Sequence, residues 1–331
     1  MPGTDVTNAP GDPSHAQDAA MLPIVSVIIP TIRRPDLLAR ALRSVFDQTC
    51  RAFEIIVVID GPDPETVLVV QAAADPRLKV FSNAHPLGAG GARNFGVAQA
   101  IGRYIAFLDD DDEWLPTKLE EQLALAGGRD DVLVTCLSRV IRPQGVEIWP
   151  TTIYDNTGPF DEYLFDRRQF FAGDAFIQSS SQLMSRALYQ RSPFPVHSPH
   201  DDWEFVIRLA CTLHARVETV PNVLVLHYIG AQAQSLSNRD AWKASLAWIA
   251  GMRTVMTPRA CSGFCLGVIG PRAAGERDYG AILPILGEAL RSGAPRARAL
   301  MVFIAVWLMP GDLRKRVRLS IQSRKSHAAA Q

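Results

Sequence analysis

The sequence has few cysteines, no net charge and no apolar run long enough to cross a bilayer. Its five cysteines, Cys50, Cys136, Cys211, Cys261 and Cys265, are odd in number and widely spaced, which argues against a secreted disulfide framework. Cys261 and Cys265 could share a helix face, but no second Cys or His pair completes a zinc site. The expectation is reduced structural thiols in a cytoplasmic protein. No Lys or Arg precedes Arg33 and no apolar core lies near the start, so no signal peptide is expected. The longest uncharged apolar run, residues 299–309, has eleven residues, against about 20 for a membrane-spanning helix. Lys plus Arg and Asp plus Glu both count 34, which excludes a nucleic-acid partner held by bulk positive charge.

What is present is a globular composition, 47% hydrophobic over 331 residues, enough for one large domain or two smaller ones. The zero charge is an average. Residues 291–331 carry nine Lys or Arg and one acid, Asp312, a net of +8, which leaves −8 on residues 1–290.

Periodicity gives an α/β class. Residues 24–30 (IVSVIIP), 53–59 (FEIIVVI), 78–81 and 104–108 (YIAFL) read as strands. Helical spacing falls between them, at 37–46 with Leu38, Leu42, Val45 and Phe46 on one face, at 66–74 and at 92–101. Alternating strands and helices imply a mainly parallel sheet covered on both faces. Ligands of such sheets bind at the carboxyl ends of the strands, where this chain has Thr31, Asp60 and the run Asp109 to Asp112. Further strands are expected at 132–137, 176–184 and 223–228, and a helix at 202–213. Beyond about residue 238 the pattern is nearly all helical, with segments at 241–256, 279–291, 296–309 and 312–323 divided by Gly or Pro.

Four successive carboxylates at a strand end repel one another unless a cation sits among them, and hard divalent ions take oxygen ligands. The bland alternative is a solvated acidic turn capping the helix near Leu115. Residues 88–94 (GAGGARN) read as a flexible loop opening a helix, where backbone amides favour anions. A dinucleotide fingerprint fails there, because Arg93 stands where the third Gly is required.

The motifs VSVIIPT (25–31), EIIVVIDG (54–61), GAGGARNFGVAQAIGRYIAFLDDDDEWLP (88–116) and HDDWEFVIRLA (200–210), in this order, resemble glycosyltransferase family 2, over about residues 24–230. The resemblance implies the GT-A fold: a mixed, mainly parallel sheet flanked by helices. Together with the Ala-, Pro-, Gly- and Asp-rich start and the helical pattern of the end, it divides the chain into a disordered segment 1–22, a GT-A domain 23–237 and a helical C-terminal extension 238–331. It also implies inverting transfer of a sugar from a nucleotide-sugar donor, UDP-linked by preference, to an acceptor hydroxyl with Mn²⁺ or Mg²⁺. The setting would be bacterial surface polysaccharide or other glycoconjugate assembly on a glycan or lipid-linked glycan.

Carried over by motif, Asp111 is the metal ligand. Asp109 contacts ribose or metal, and His227 approaches the metal or diphosphate. Donor contacts fall on Pro30, Thr31, Asp60, Arg93, Asp109 and Asp110, with Asp60 facing the base. Asp202, second acid of the HDDWE motif, is the general base, and Trp203 and Ser179 to Ser181 lie toward the acceptor. Two departures stand out: Ile59 replaces the first Asp of the Asp-Asp-Gly-Ser pattern, and Ile32 replaces an aromatic able to stack on the base. Nucleotidyl transfer, which needs no base at Asp202, and a non-catalytic nucleotide-sugar-binding scaffold are the competing readings. The basic residues within 291–325 are read either as a solvated helical tail or as a peripheral contact with an anionic membrane. No nucleic-acid module accompanies them. The expected location is the cytoplasm, at the inner face of the cell membrane if the tail binds there.

Overall fold

The computed structural model describes residues 22–166, 175, 177–230 and 241–309. The expected disordered segment 1–22, apart from Leu22, and the expected helix 312–323 lie outside them. The described elements, in order, are β1 (Val25–Thr31), α1 (Pro35–Phe46), β2 (Phe53–Ile59), α2 (Pro64–Ala73), β3 (Leu78–Ser82), α3 (Gly88–Ala98), β4 (Tyr104–Phe107), β5 (Glu113–Trp114), α4 (Lys118–Ala126), β6 (Val132–Arg142), β7 (Gly145–Trp149), α5 (Phe160–Phe165), β8 (Leu183–Ser185), α6 (Arg186–Arg191), α7 (Asp201–Ile207) and β9 (Arg216–Tyr228). Five helices follow: α8 (Ala241–Met252), α9 (Pro258–Phe264), α10 (Gly270–Gly275), α11 (Ile282–Ser292) and α12 (Ala297–Leu308).

The strands form one mixed sheet in the order β3-β2-β1-β4-β8-β6-β9-β5, with β7 paired to β6. Strands β3, β2, β1 and β4 run parallel. Strand β8 is antiparallel to both its neighbours. The apolar runs of β1 and β2 follow from burial on both faces. Successive side chains of a strand point to opposite sides, so Val25, Val27 and Ile29 join Leu38, Leu42 and Val45 of α1 in one core. Ile28, Ile56 and Val58 join Ala92 and Val97 of α3 and Phe205 of α7 in the other. Helix α3 lies close on this second face because Gly96 has no side chain. A Cβ there would sit 2.6 Å from Ile28 Cγ2.

Three expectations shift. The strand expected at 176–184 is a 3₁₀ turn, Ser179–Ser181, followed by three-residue β8. The serine hydroxyls bond carboxylates and backbone of other segments, which competes with a sheet ladder. The helix expected at 202–213 is α7 continued by a π-helical turn, Arg208–Thr212. Strands β6 and β9 are longer than expected. Cys136 pairs with Val220 and Leu137 with Val223, so Pro221 and Asn222 bulge out of the ladder.

The C-terminal helices build a third core around Trp248, Ile249, Phe264, Leu266 and Phe303, and this core also takes in Phe165 of α5 and Ile207 of α7. The extension is therefore packed onto the sheet domain by shared apolar residues, each large one worth about 1.5–3 kcal/mol when fully buried.

At the opposite end of β2 from Asp60, Glu54 is buried and accepts from Ser26 Oγ at 2.5 Å, Lys79 Nζ at 2.7 Å and the Ile101 amide at 2.8 Å. Burial pushes its pKa up, but the hydrogen bonds from Lys79, Ser26 and Ile101 outweigh it and hold the group below its ordinary 4.5. Glu54→Gln is expected to lower stability at pH 7 by about 1–3 kcal/mol. A depressed carboxylate stabilises above its unfolded pKa and loses that contribution as pH falls through the folded value. The deficit should therefore shrink below about pH 4.5 in denaturant titrations; a deficit independent of pH would show that charge is not the cause.

Candidate active site

The parallel register sets the site. Thr31 of β1 pairs with Ile59 of β2, and Ile28 of β1 pairs with Phe107 of β4. Thr31, Asp60 and the Asp109 to Asp112 run thus leave the sheet along one edge, the carboxyl end favoured for ligands. Pro30, half-buried, precedes Thr31 in the same strand.

The four aspartates are sorted by what they touch. Asp109 Oδ1 accepts from Arg93 Nη2 at 2.6 Å. Asp110 is buried; its Oδ2 accepts from Thr31 Oγ1 at 2.8 Å, and its Oδ1 accepts from Arg34 Nη1 at 3.1 Å. Asp111 is the most open, with a 38% exposed side chain, and meets Arg34 Nη1 at 3.3 Å. Asp112 is fully buried. It accepts from Ser180 Oγ at 2.6 Å, and its Oδ1 lies 2.9 Å from His227 Nδ1.

All four carboxyls are pushed upward. Burial is the main cause in each, and repulsion among the acids adds to it. Asp110 reaches about 6 despite Thr31 and Arg34. Burial works against charge on His227 as well, but its bond to Asp112 prevails and raises it.

This donor set suits a hard divalent cation. It is all oxygen apart from one imidazole, it carries surplus negative charge, and the Asp112–His227 pair has the carboxylate–imidazole form that orients metal-binding histidines. Among the described residues no three acids, histidines or cysteines already converge as a complete cage. Mg²⁺ and Mn²⁺ sites commonly use only one or two carboxylates, with substrate phosphates completing the shell.

Arg93 is the hinge of the site. It is 4% exposed and reaches Asp109 with one nitrogen and Asp202 Oδ1 with the other, at 3.3 Å. Burial opposes its charge, but Asp109 and Asp202 outweigh burial and hold the guanidinium ionised. With both terminal nitrogens engaged, Arg93 joins the two acids instead of presenting an open donor contact. Asp202 sits in the first turn of α7, also accepts from Ser179 Oγ at 2.8 Å, and keeps a 46% exposed side chain.

Asp60 is committed to the fold. Its Oδ1 accepts from Asn83 Nδ2 at 3.0 Å and the Leu87 amide at 2.8 Å, and its Oδ2 accepts the Gly88 amide at 2.9 Å. The flexible anion-binding loop expected at 88–94 is therefore corrected. Helix α3 already begins at Gly88, and Asp60 supplies the negative charge its N-terminus favours. The glycines serve close packing: a Cβ at Gly91 would lie 2.7 Å from Leu87 Cβ. Beside Asp60, Ile32 and Pro86 approach each other across Gly61, whose φ of +136° suits glycine.

Trp203, partly buried, packs against the third core. Its ring packs against Phe165 at 5.5 Å and Phe264 at 5.6 Å. On either side of Asp202, His200 Nε2 meets Ser245 Oγ at 2.9 Å and Glu204 accepts from Trp248 Nε1 at 2.7 Å. Both partners lie on α8.

Three contributors carried little or no sequence signal. Ser180 Oγ holds Asp112 and also accepts the Asp109 amide at 3.0 Å, fixing both ends of the acidic run. Ser179 holds Asp202. Arg40 donates to the Asp111 carbonyl at 2.6 Å and lies over the Tyr228 ring at 4.2 Å.

Comparison with known proteins identifies the family and the fold. The family described as "Glycosyl transferase family 2" matches residues 26–192, about half the chain. A UDP-Glc:alpha-D-GlcNAc-diphosphoundecaprenol beta-1,3-glucosyltransferase, WfgD of Escherichia coli, is 37% identical over 102 residues, 31% of this chain and 40% of its own. A GalNAc(5)-diNAcBac-PP-undecaprenol beta-1,3-glucosyltransferase of Campylobacter jejuni is 39% identical over 120 residues, 35% of this chain and 39% of its own. The matches thus span about two fifths of these relatives. Among solved structures, S. aureus TarS 1–349 in complex with UDP-GlcNAc superposes with a TM-score of 0.58 at 16% identity, over 86% of this chain and 90% of that one. The mannosyltransferase PcManGT from Pyrobaculum calidifontis, in complex with GDP-Man and Mn²⁺, gives 0.59 at 17% identity over 92% and 85%. At such identities the structures speak for the fold. With the family match and a sheet whose carboxyl edge carries the acidic run, they establish that this chain belongs to glycosyl transferase family 2 and has the GT-A fold.

Proposed function

We propose that this protein transfers a sugar from a nucleotide-sugar donor to a hydroxyl of a lipid-linked glycan, with inversion and with Mn²⁺ or Mg²⁺. One observation carries the reading: Arg93 joins Asp109, a carboxylate of the acidic run, to Asp202, an open carboxylate on another element. Asp202 is the base that takes the proton of the acceptor hydroxyl as the new bond forms, oriented by Ser179 and Arg93. An acid held there has no role in nucleotidyl transfer. Asp109, Asp111 and His227 would hold the divalent ion, which when bound offsets charge on the departing nucleoside diphosphate. Ser180 and Thr31 keep the acidic run in place, and the Ile32–Gly61–Pro86 edge beside Asp60 accommodates the base. A UDP-linked donor and a lipid-linked acceptor are supported by the names of the relatives above. The test is a thermal-shift panel of UDP, GDP, dTDP and CMP with and without Mn²⁺. Stabilisation by a nucleoside diphosphate, enhanced by Mn²⁺, is expected; no response to any of them would sink the reading.

Among the described residues no helix is long and apolar enough to cross a membrane. Helix α12 is nonetheless apolar nearly all round while burying only Ala299 and Phe303. Met301, Ile304 and Leu308 are 52%, 54% and 78% exposed, and Leu283 and Leu290 of α11 are open as well. With the basic residues of 291–325, this face suits the surface of an anionic membrane. Met301, Ile304 and Leu308 replaced together by Gln should lower cosedimentation with phosphatidylglycerol vesicles several-fold. Equal binding by the variant would remove this face from the contact.

A further inference from the structure

The acidic run carries its own counter-cation. Among the described residues three arginines approach it. Arg93 is buried, with both terminal nitrogens bound to Asp109 and Asp202. Arg40 is tied to the Asp111 carbonyl, to Glu113 at 3.2 Å and to the Tyr228 ring. Arg34 differs from both. Its side chain is 45% exposed, and a single nitrogen, Nη1, reaches Asp110 Oδ1 at 3.1 Å and Asp111 Oδ2 at 3.3 Å. Both contacts are longer than is usual for charge-assisted hydrogen bonds.

The backbone beneath Arg34 is fixed. Arg33 has φ of +53°, and its amide donates to Asp63 Oδ2 at 2.6 Å. Asp63 in turn caps α2 through the Thr66 amide. The turn is pinned while the Arg34 side chain is held only at its tip.

We propose that Arg34 exchanges with the divalent ion on Asp111. In the metal-free enzyme its guanidinium bridges Asp110 and Asp111 and relieves their repulsion. Metal binding takes the Asp111 carboxylate, and Arg34 swings off into solvent or toward the anionic ligand. The inference rests on the assignment of Asp111 to the metal. It adds that this affinity is set by competition with a side chain of the same chain, so Asp111 faces a cation in both states.

The test is Mn²⁺ binding to the full chain without nucleotide, followed by the electron paramagnetic resonance signal of free Mn²⁺. Arg34→Gln should bind Mn²⁺ about two- to fivefold more tightly, the range for a half-exposed ion pair. Arg33→Gln removes the same charge one residue away and should leave the affinity unchanged. Equal or weaker binding by Arg34→Gln overturns the exchange while leaving the metal assignment standing. Tightening by Arg33→Gln as large as by Arg34→Gln overturns it too, because bulk charge would then account for the effect. If Asp111→Ala binds Mn²⁺ as the wild type does, the metal assignment fails and the exchange with it.

Discussion

Asp202→Asn is expected to slow sugar transfer by about 10²–10⁴-fold, the usual worth of a positioned general base, with nucleotide and Mn²⁺ affinity nearly unchanged. Asn keeps the size of the side chain and an oxygen that can accept from Ser179. It cannot take a proton at neutral pH. The fold should tolerate the change, since the side chain is 46% exposed and Arg93 retains Asp109 as its partner. The measurement is a comparison of kcat with the nucleotide Kd in the same preparation. Unchanged turnover would remove Asp202 as base. An equal loss of nucleotide affinity would show instead that breaking the Arg93 bridge had disturbed the donor side.

Asp111→Ala should erase the Mn²⁺-dependent part of nucleotide binding, a loss of about 10²-fold or more. Removing groups that merely orient metal ligands costs about 10–100-fold, and a direct ligand costs at least as much. Stability should hardly move, because the one ion pair lost is a partly exposed contact with Arg34, worth about 1 kcal/mol at most. Asp112 behaves oppositely. It is fully buried and holds Ser180 and His227, so Asp112→Ala is expected to destabilise the fold and makes a poor probe of the metal. Mn²⁺ enhancement of nucleotide binding that survives in Asp111→Ala would reject the assignment.

The legible and illegible parts of this site differ in range. Strands β1, β2 and β4 were readable because burial on both faces leaves unbroken apolar runs, and their ends locate Thr31, Asp60 and Asp109 to Asp112 without any knowledge of contacts. Asp202 was readable from its motif before a helix. What joins them was not. The Arg93–Asp202 bond spans 109 positions and the Ser180–Asp112 bond 68, and no local pattern marks a serine as the partner of a distant acid. The role of Asp60 was half-visible: its place after a strand marks the carboxyl edge of the sheet, but its bonds to the Leu87 and Gly88 amides at the start of α3 have no local signal. The β6–β7 hairpin was missed because β7 is largely exposed and carries no core-facing alternation.

The bonds from Ser245 to His200 and from Trp248 to Glu204 fasten α8 to the helix that carries Asp202. Helix α8 in turn shares its core with α11 and α12. Asp202 and the open apolar face of α12 are thus parts of one packed body. If that face rests on a membrane, as proposed, this packing sets the height at which an acceptor anchored there would meet Asp202.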